Sequence, residues 1–240
     1  DGTLVPLAAS LQVAHLAPFG ATPATAVTVT LNSKPVLTDV VYGISTGYLP
    51  VMAGMDHEVG IVPMGEPGPA LTTTINLTHA TGFAAVAYGG TNNWDLGLML
   101  LEDDPTPPLS GYAKVRIGHL APFSNTITGT LADIRTQTGP LVDPSLNNVP
   151  FEAVTGYLDL PADTYDLKVT DADNTMTLID LFPVPFKDGD ILTVFAVGDG
   201  SNQPVGAYAL PLGEPGEMLP LVAQYQIGRA SCRERVCHRV

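Results

Sequence analysis

The chain has 240 residues, of which 45% are hydrophobic and 14% charged, and its formal net charge is −14. A phosphate-binding surface needs clustered Lys and Arg, so this balance excludes nucleic acid as a partner and disfavours an anionic membrane surface. The apolar content excludes a disordered chain, and no run of 18 apolar residues offers a membrane span. With 24 Gly and 22 Pro between segments rich in Val, Thr, Ile, Leu and Tyr, the expectation is an all-β fold of short strands and tight turns.

The chain begins at Asp1 without Met, which leads us to expect that an export signal has already been removed. Residues 13–19, VAHLAPF, read as the end of a first strand and its exit turn. His15 and Pro18 are its marked positions. The His ring is expected to bond the following turn while Pro fixes the exit direction. Thr46-Gly47-Tyr48-Leu49 comes next, with Tyr48 expected to be buried and to anchor a loop through its hydroxyl. Asn76-Leu77-Thr78 matches a glycosylation acceptor, a pattern that is common by chance. Trp94 sits among Asn92, Asn93 and Asp95 in a loop. It either contacts a glycan or partner protein, or folds back over the end of the sandwich, and the second is favoured because Trp is mostly buried. Residues 102–110, EDDPTPPLS, are charged and then Pro-rich, so they are expected to form a solvated, semi-stiff linker.

Beyond the linker the sequence repeats. His15 to Phe19 returns unchanged as His119 to Phe123, 104 residues on. Thr46-Gly47-Tyr48-Leu49 returns as Thr155-Gly156-Tyr157-Leu158, and Ala87-Tyr88-Gly89 as Ala196-Val197-Gly198, both 109 residues on. Kept order and a small change of offset indicate one duplicated module, with a short insertion in the second copy placed within 135–150. His119, Pro122 and Tyr157 take the roles of His15, Pro18 and Tyr48. In the second copy, strands are expected over 113–120, 127–133, 155–160, 165–170, 175–182, 191–197 and 205–210. The span 191–197 is nearly all apolar, as for a strand buried on both faces. The fold class is therefore all-β, with two tandem immunoglobulin-like antiparallel β-sandwich domains of about seven strands each. The expected boundaries are 1–103 for copy one, 104–110 for the linker, 111–213 for copy two and 214–226 for an extension.

Residues 227–240, IGRASCRERVCHRV, hold four of the ten basic residues and both cysteines, Cys232 and Cys237. Two Cys and one His lack a fourth zinc ligand. The segment reads as translated sequencing-adapter read-through joined to a truncated frame. With it set aside, the chain is cysteine-free and more acidic still, which suits an exported prokaryotic protein.

These motifs carry a family resemblance. Val13 to Pro18 with Gly47 to Leu49 in copy one, and Ile117 to Pro122, Gly156 to Leu158, Tyr165 to Val169 and Thr193 to Gly198 in copy two, resemble the domain-of-unknown-function family numbered 4397. Copy one departs from the pattern at 54–59 and 84–89. The resemblance implies an exported β-sandwich, often tandem and at the cell surface, and implies no activity.

The sequence holds no Gly-x-Ser-x-Gly, His-Glu-x-x-His or P-loop motif, and no catalytic or cofactor-binding residue is expected. Asp171, Asp173 and Asp199 are weak Ca²⁺ candidates, because a Ca²⁺ site needs six to eight oxygens and these segments read equally as hairpin turns. The expectation is a non-enzymatic, secreted or cell-surface module acting as spacer, adhesin or matrix component, with protein or glycan as partner. The alternatives are an accessory, carbohydrate-directed module of a larger secreted enzyme and, last, a hydrolase.

Overall fold

Strand follows turn without any α-helix among the residues described by the computed structural model, 8–21, 24–124 and 126–222. The first half forms β1 (Ala8–His15), β2 (Val27–Leu31), β3 (Lys34–Val40), β4 (Ile44–Ser45), β5 (Leu49–Met52), β6 (Asp56–Pro63), β7 (Leu71–Asn76), β8 (Gly82–Tyr88) and β9 (Gly97–Glu102). The second forms β10 (Tyr112–His119), β11 (Ala132–Thr136), β12 (Val154–Pro161), β13 (Asp163–Tyr165), β14 (Leu167–Asp171), β15 (Thr177–Asp180), β16 (Val184–Phe186), β17 (Ile191–Val197), β18 (Gly206–Pro211) and β19 (Glu217–Met218).

The fold is all-β and sandwich-like. In the first half, the sheet β4-β1-β8-β9, with β5 also on β1, faces the sheet β3-β2-β6-β7. In the second, β12-β10-β17-β18-β19 faces β11-β14-β15, with a separate β13-β16 pair beside it. The pairings are antiparallel except for one in each half. There β1 runs parallel to β8, and β10 parallel to β17.

Side chains alternate across a strand, so each inner strand presents two faces. Phe83 and Ala85 of β8 pack with Leu11, Val13, Val29 and Ile61 inside the first sandwich. Val194 and Ala196 of β17 pack with Val115, Ile134 and Val169 inside the second. The opposite faces meet each other. Ala14, Leu16, Ala84 and Val86 from the first half share a third core with Leu120, Phe195, Val197, Tyr208 and Leu210 from the second. The four sheets therefore stack in series, and the two inner ones are covered on both sides. That accounts for the nearly all-apolar run of residues 191–197.

Several sequence expectations change. Residues 127–133 are not one strand. A 3₁₀ turn at Thr128–Thr130 precedes β11, because the Thr130 hydroxyl bonds back to the Ile127 carbonyl at 2.9 Å. The expected strand at 165–170 splits into β13 and β14, which belong to different sheets. Strands β16 and β19 were not anticipated. The expected solvated character of Glu102-Asp103-Asp104 fails at Asp103, which is 6% exposed. Residues 227–240, with Cys232 and Cys237, lie outside the described residues.

The interiors of the two sandwiches differ. The first holds an apolar cavity of about 280 Å³ between β1, β5 and β8 on one side and β2 and β6 on the other. The corresponding space in the second is about 40 Å³.

Candidate functional site: the paired histidine turns and the joint between copies

The two His turns are built alike. His15 Nε2 donates to the Thr25 carbonyl at 2.8 Å, Nδ1 accepts a long 3.4 Å bond from the Ala17 N–H, and the ring stacks on Phe19. His119 Nε2 donates to the Thr130 carbonyl at 2.6 Å, Nδ1 accepts from the Ala121 N–H at 3.4 Å, and the ring stacks on Phe123. A carbonyl partner at Nε2 and an N–H partner at Nδ1 assign the neutral Nε2–H tautomer. Each ring is 1% exposed. Burial pulls the His15 pKa below its ordinary value and that of His119 down to about 4, against the raising effect of the carbonyl bond. Both nitrogens of each ring are thus engaged by backbone, which leaves neither free to act as a base.

The Thr of each Thr-Gly-Tyr-Leu motif has a shared structural task. Thr46 Oγ1 accepts from the Val13 N–H and Thr155 Oγ1 from the Ile117 N–H, both at 3.0 Å. In β10 this is the site of a register shift between Arg116 and Gly118, where the ladder leaves that N–H without a strand partner.

The tyrosines have diverged. The Tyr48 hydroxyl donates to Asp103 Oδ2 at 2.7 Å, and burial together with that bond raises its pKa. The Tyr157 ring lies beneath the Arg116 guanidinium, 4.7 Å from its centroid, and Lys114 Nζ is 5.5 Å away. Both converge on one buried ion pair, Arg116 to Asp103 at 3.0 Å, which carries the joint between the copies. Arg116 also donates from Nε to Thr193 Oγ1 at 2.9 Å and from Nη1 to the Glu102 carbonyl at 2.8 Å. Lys114 binds Asp104 at 2.8 Å and holds its carboxyl well below the usual range. The linker is fastened to the second copy at both aspartates.

The joint is close to two-fold symmetric. Gln12, the counterpart of Arg116, donates to the Pro211 carbonyl at 3.2 Å, just as Arg116 reaches Glu102, the counterpart of Pro211. Trp94 Nε1 donates to the Ser124 carbonyl at 2.8 Å, and its counterpart Gln203 donates to the Gly20 carbonyl at 2.8 Å. Asn92 donates to the Pro122 carbonyl at 2.7 Å, and Asn202 to the Pro18 carbonyl at 3.1 Å. Each Ala-Pro turn is thus held by an amide from the other copy. The loops that supply these amides leave their strands through Gly89 and Gly198, at φ of +75° and +86°. A Cβ there would lie 2.1 Å from the Asp95 carbonyl oxygen and 2.0 Å from that of Pro204, so the third repeated motif is a backbone requirement.

Trp94 packs onto the other copy, with its ring 4.5 Å from that of Phe151. The Ca²⁺ candidates act as turn acceptors. Asp171 accepts from the Thr175 and Met176 N–H groups, at 2.7 and 2.9 Å. Asp199 accepts from the N–H groups of Ser201, Asn202 and Gln203 and from the Thr91 hydroxyl. Asp173 joins neither set, and no cluster of three potential metal ligands occurs among the described residues. Sequence reasoning missed Gln12, Phe151, Arg116, Asp103, Asn92, Asn202 and Gln203. The repeat offset already paired Trp94 with Gln203 and was the signal available for finding the joint.

The model of the family described as "Domain of unknown function (DUF4397)" matches residues 9–128 and 133–211, most of the chain. No match exists among curated protein sequences. Two solved structures align at 12% identity. One is described as α-glucan binding by a streptococcal virulence factor, with 85% of this chain and 96% of that chain covered and a TM-score of 0.26. The other is described as α-glucan recognition by family 41 carbohydrate-binding modules from streptococcal virulence factors, with 85% and 97% covered and a TM-score of 0.25. Neither score reaches a shared fold. No helix among the described residues is long and apolar enough to cross a membrane.

Proposed function

Since the chain belongs to family DUF4397, we propose that it is a non-enzymatic, exported or cell-surface β-sandwich pair that serves as a stiff spacer in an adhesion or matrix protein. The observation that carries this reading is the use made of the repeated motifs. His15, His119, Thr46, Thr155, Gly89 and Gly198 go into turns and a two-fold joint, where a catalytic module would present such groups to a substrate. A shared apolar core and a buried Arg116–Asp103 pair resist hinge motion between the copies.

Pulling on the two ends of the full chain tests it. A stiff pair gives one cooperative unfolding step, whereas two separate steps, with the first at low force, would overturn the spacer role. Protease or antibody labelling on intact producing cells checks surface exposure. A second reading, an accessory carbohydrate-directed module, draws on an open hollow of about 510 Å³ lined in part by Asp143, Ser145, Asn147, Asn148 and Thr155. Hydroxyl-rich ligands suit such a lining. A glycan array with wild type and Asn148→Ala decides this, and uniform lack of binding removes the glycan reading.

A further inference from the structure

We infer that the first sandwich carries a binding site for a compact, uncharged hydrocarbon group of roughly eight to ten carbon atoms, in the cavity between β1, β5 and β8 and the facing β2 and β6. Three observations carry this. The first is chemistry. The lining is apolar, with Leu11, Val29, Leu49, Val51, Ile61 and Ala85 among its residues. Its two polar members are already engaged, His15 by Thr25 and Ala17, and Thr30 by the Gly60 carbonyl at 3.4 Å. Water needs two to four polar partners to settle, and this lining offers too few. A charged group would enter without compensation.

The second is size. Protein interiors pack to crystal density and leave few voids larger than a water molecule. A dry apolar cavity of roughly 150 Å³ is enough to take benzene. At about 280 Å³ this one holds a group nearly twice as large.

The third is the second copy, which shows that the fold does not require the space. There Val194 stands for Ala85, Leu160 for Val51 and Ile117 for Val13, while Leu146 and Val142 enter from the segment between β11 and β12. In the first copy that segment is β3 instead. Val36 of β3, one of the lining residues, is 49% exposed.

The probe is naphthalene, titrated into the full chain. One molecule is expected to bind with saturation, to raise Tm, and to shift amide resonances of β1, β2, β5 and β6 while leaving β11 and β14 unmoved. Ala85→Leu is expected to raise Tm without ligand and to weaken naphthalene at least tenfold. Val51→Leu, which copies the second half, should weaken it to a smaller extent and serves if Ala85→Leu does not fold. Absence of saturable binding to wild type, shifts spread over both halves, or unchanged affinity in a folded variant would overturn the inference.

Discussion

The two halves share a joint and differ in their interiors. At the joint, counterparts repeat their bonds across the two-fold, Trp94 with Gln203 and Arg116 with Gln12, while Asn92 and Asn202, one position out of step, each hold the other copy's Ala-Pro turn. Inside, one sandwich is filled by Leu146, Val142 and Phe186, and the other keeps about 280 Å³ open. At roughly 24 cal/mol per Å³ of residual cavity, that difference is on the order of several kcal/mol. A duplicated module thus held the contacts between its copies while one interior was left free to change. The joint itself is not uniform, since among the described residues a buried charge pair lies on the Arg116 side, whereas Gln12 on the other side bonds backbone carbonyls.

That asymmetry is open to direct attack, from large effects to small. Arg116→Met strands the Asp103 carboxylate and should cost about 3–5 kcal/mol in denaturant unfolding, whereas Gln12→Met, at the neutral counterpart, should cost less than half as much. Phe195→Ala should cost about 3–5 kcal/mol through the shared core, and Val86→Ala at the equivalent place clearly less, because less volume is lost. Equal losses in either pair would mean that the two sides of the joint bear load equally.

Acid should act on both copies. The folded pKa of each motif histidine is depressed, so the unfolded chain binds more protons as pH falls below the ordinary value of 6.5. The stabilisation is complete above that value and is lost as pH falls towards about 4 for His119. His119→Gln should flatten the fall in Tm between pH 6.5 and 4, and an unchanged slope would show that the ring is not held neutral. Smaller still, Trp94→Ala should cost about 1–2 kcal/mol at the rim of the joint, and Gln203→Ala less, since the large Trp94 ring also packs at a tilt against Phe151. Thr46→Val and Thr155→Val should each cost about 1 kcal/mol, and equally, because each orphans one strand N–H.

Local patterns were legible where local forces decide. Alternation and turn residues placed the strands at 113–120, 155–160 and 191–197 within a residue or two, and Ala-Pro marked the ends of the first strands at His15 and His119. Residues 127–133 misled because alternation there competes with Thr130 hydroxyl bonding, which favours a turn. The linker misled because charge was taken for solvation. Asp103 is buried against Tyr48 of its own copy and Arg116 of the other, partners that composition cannot reveal.

The sequence by itself determined the all-β class and the duplication. Those depend on residue period, on turn chemistry and on self-similarity, which are written along the chain. Only the tertiary structure decided that the two sandwiches share a core, that Trp94 spends itself on Phe151, and that one interior stays open. These depend on which faces meet and how volumes sum in three dimensions. A strand buried on both sides shows in the sequence as an apolar run, and nothing in that run names what covers its second face.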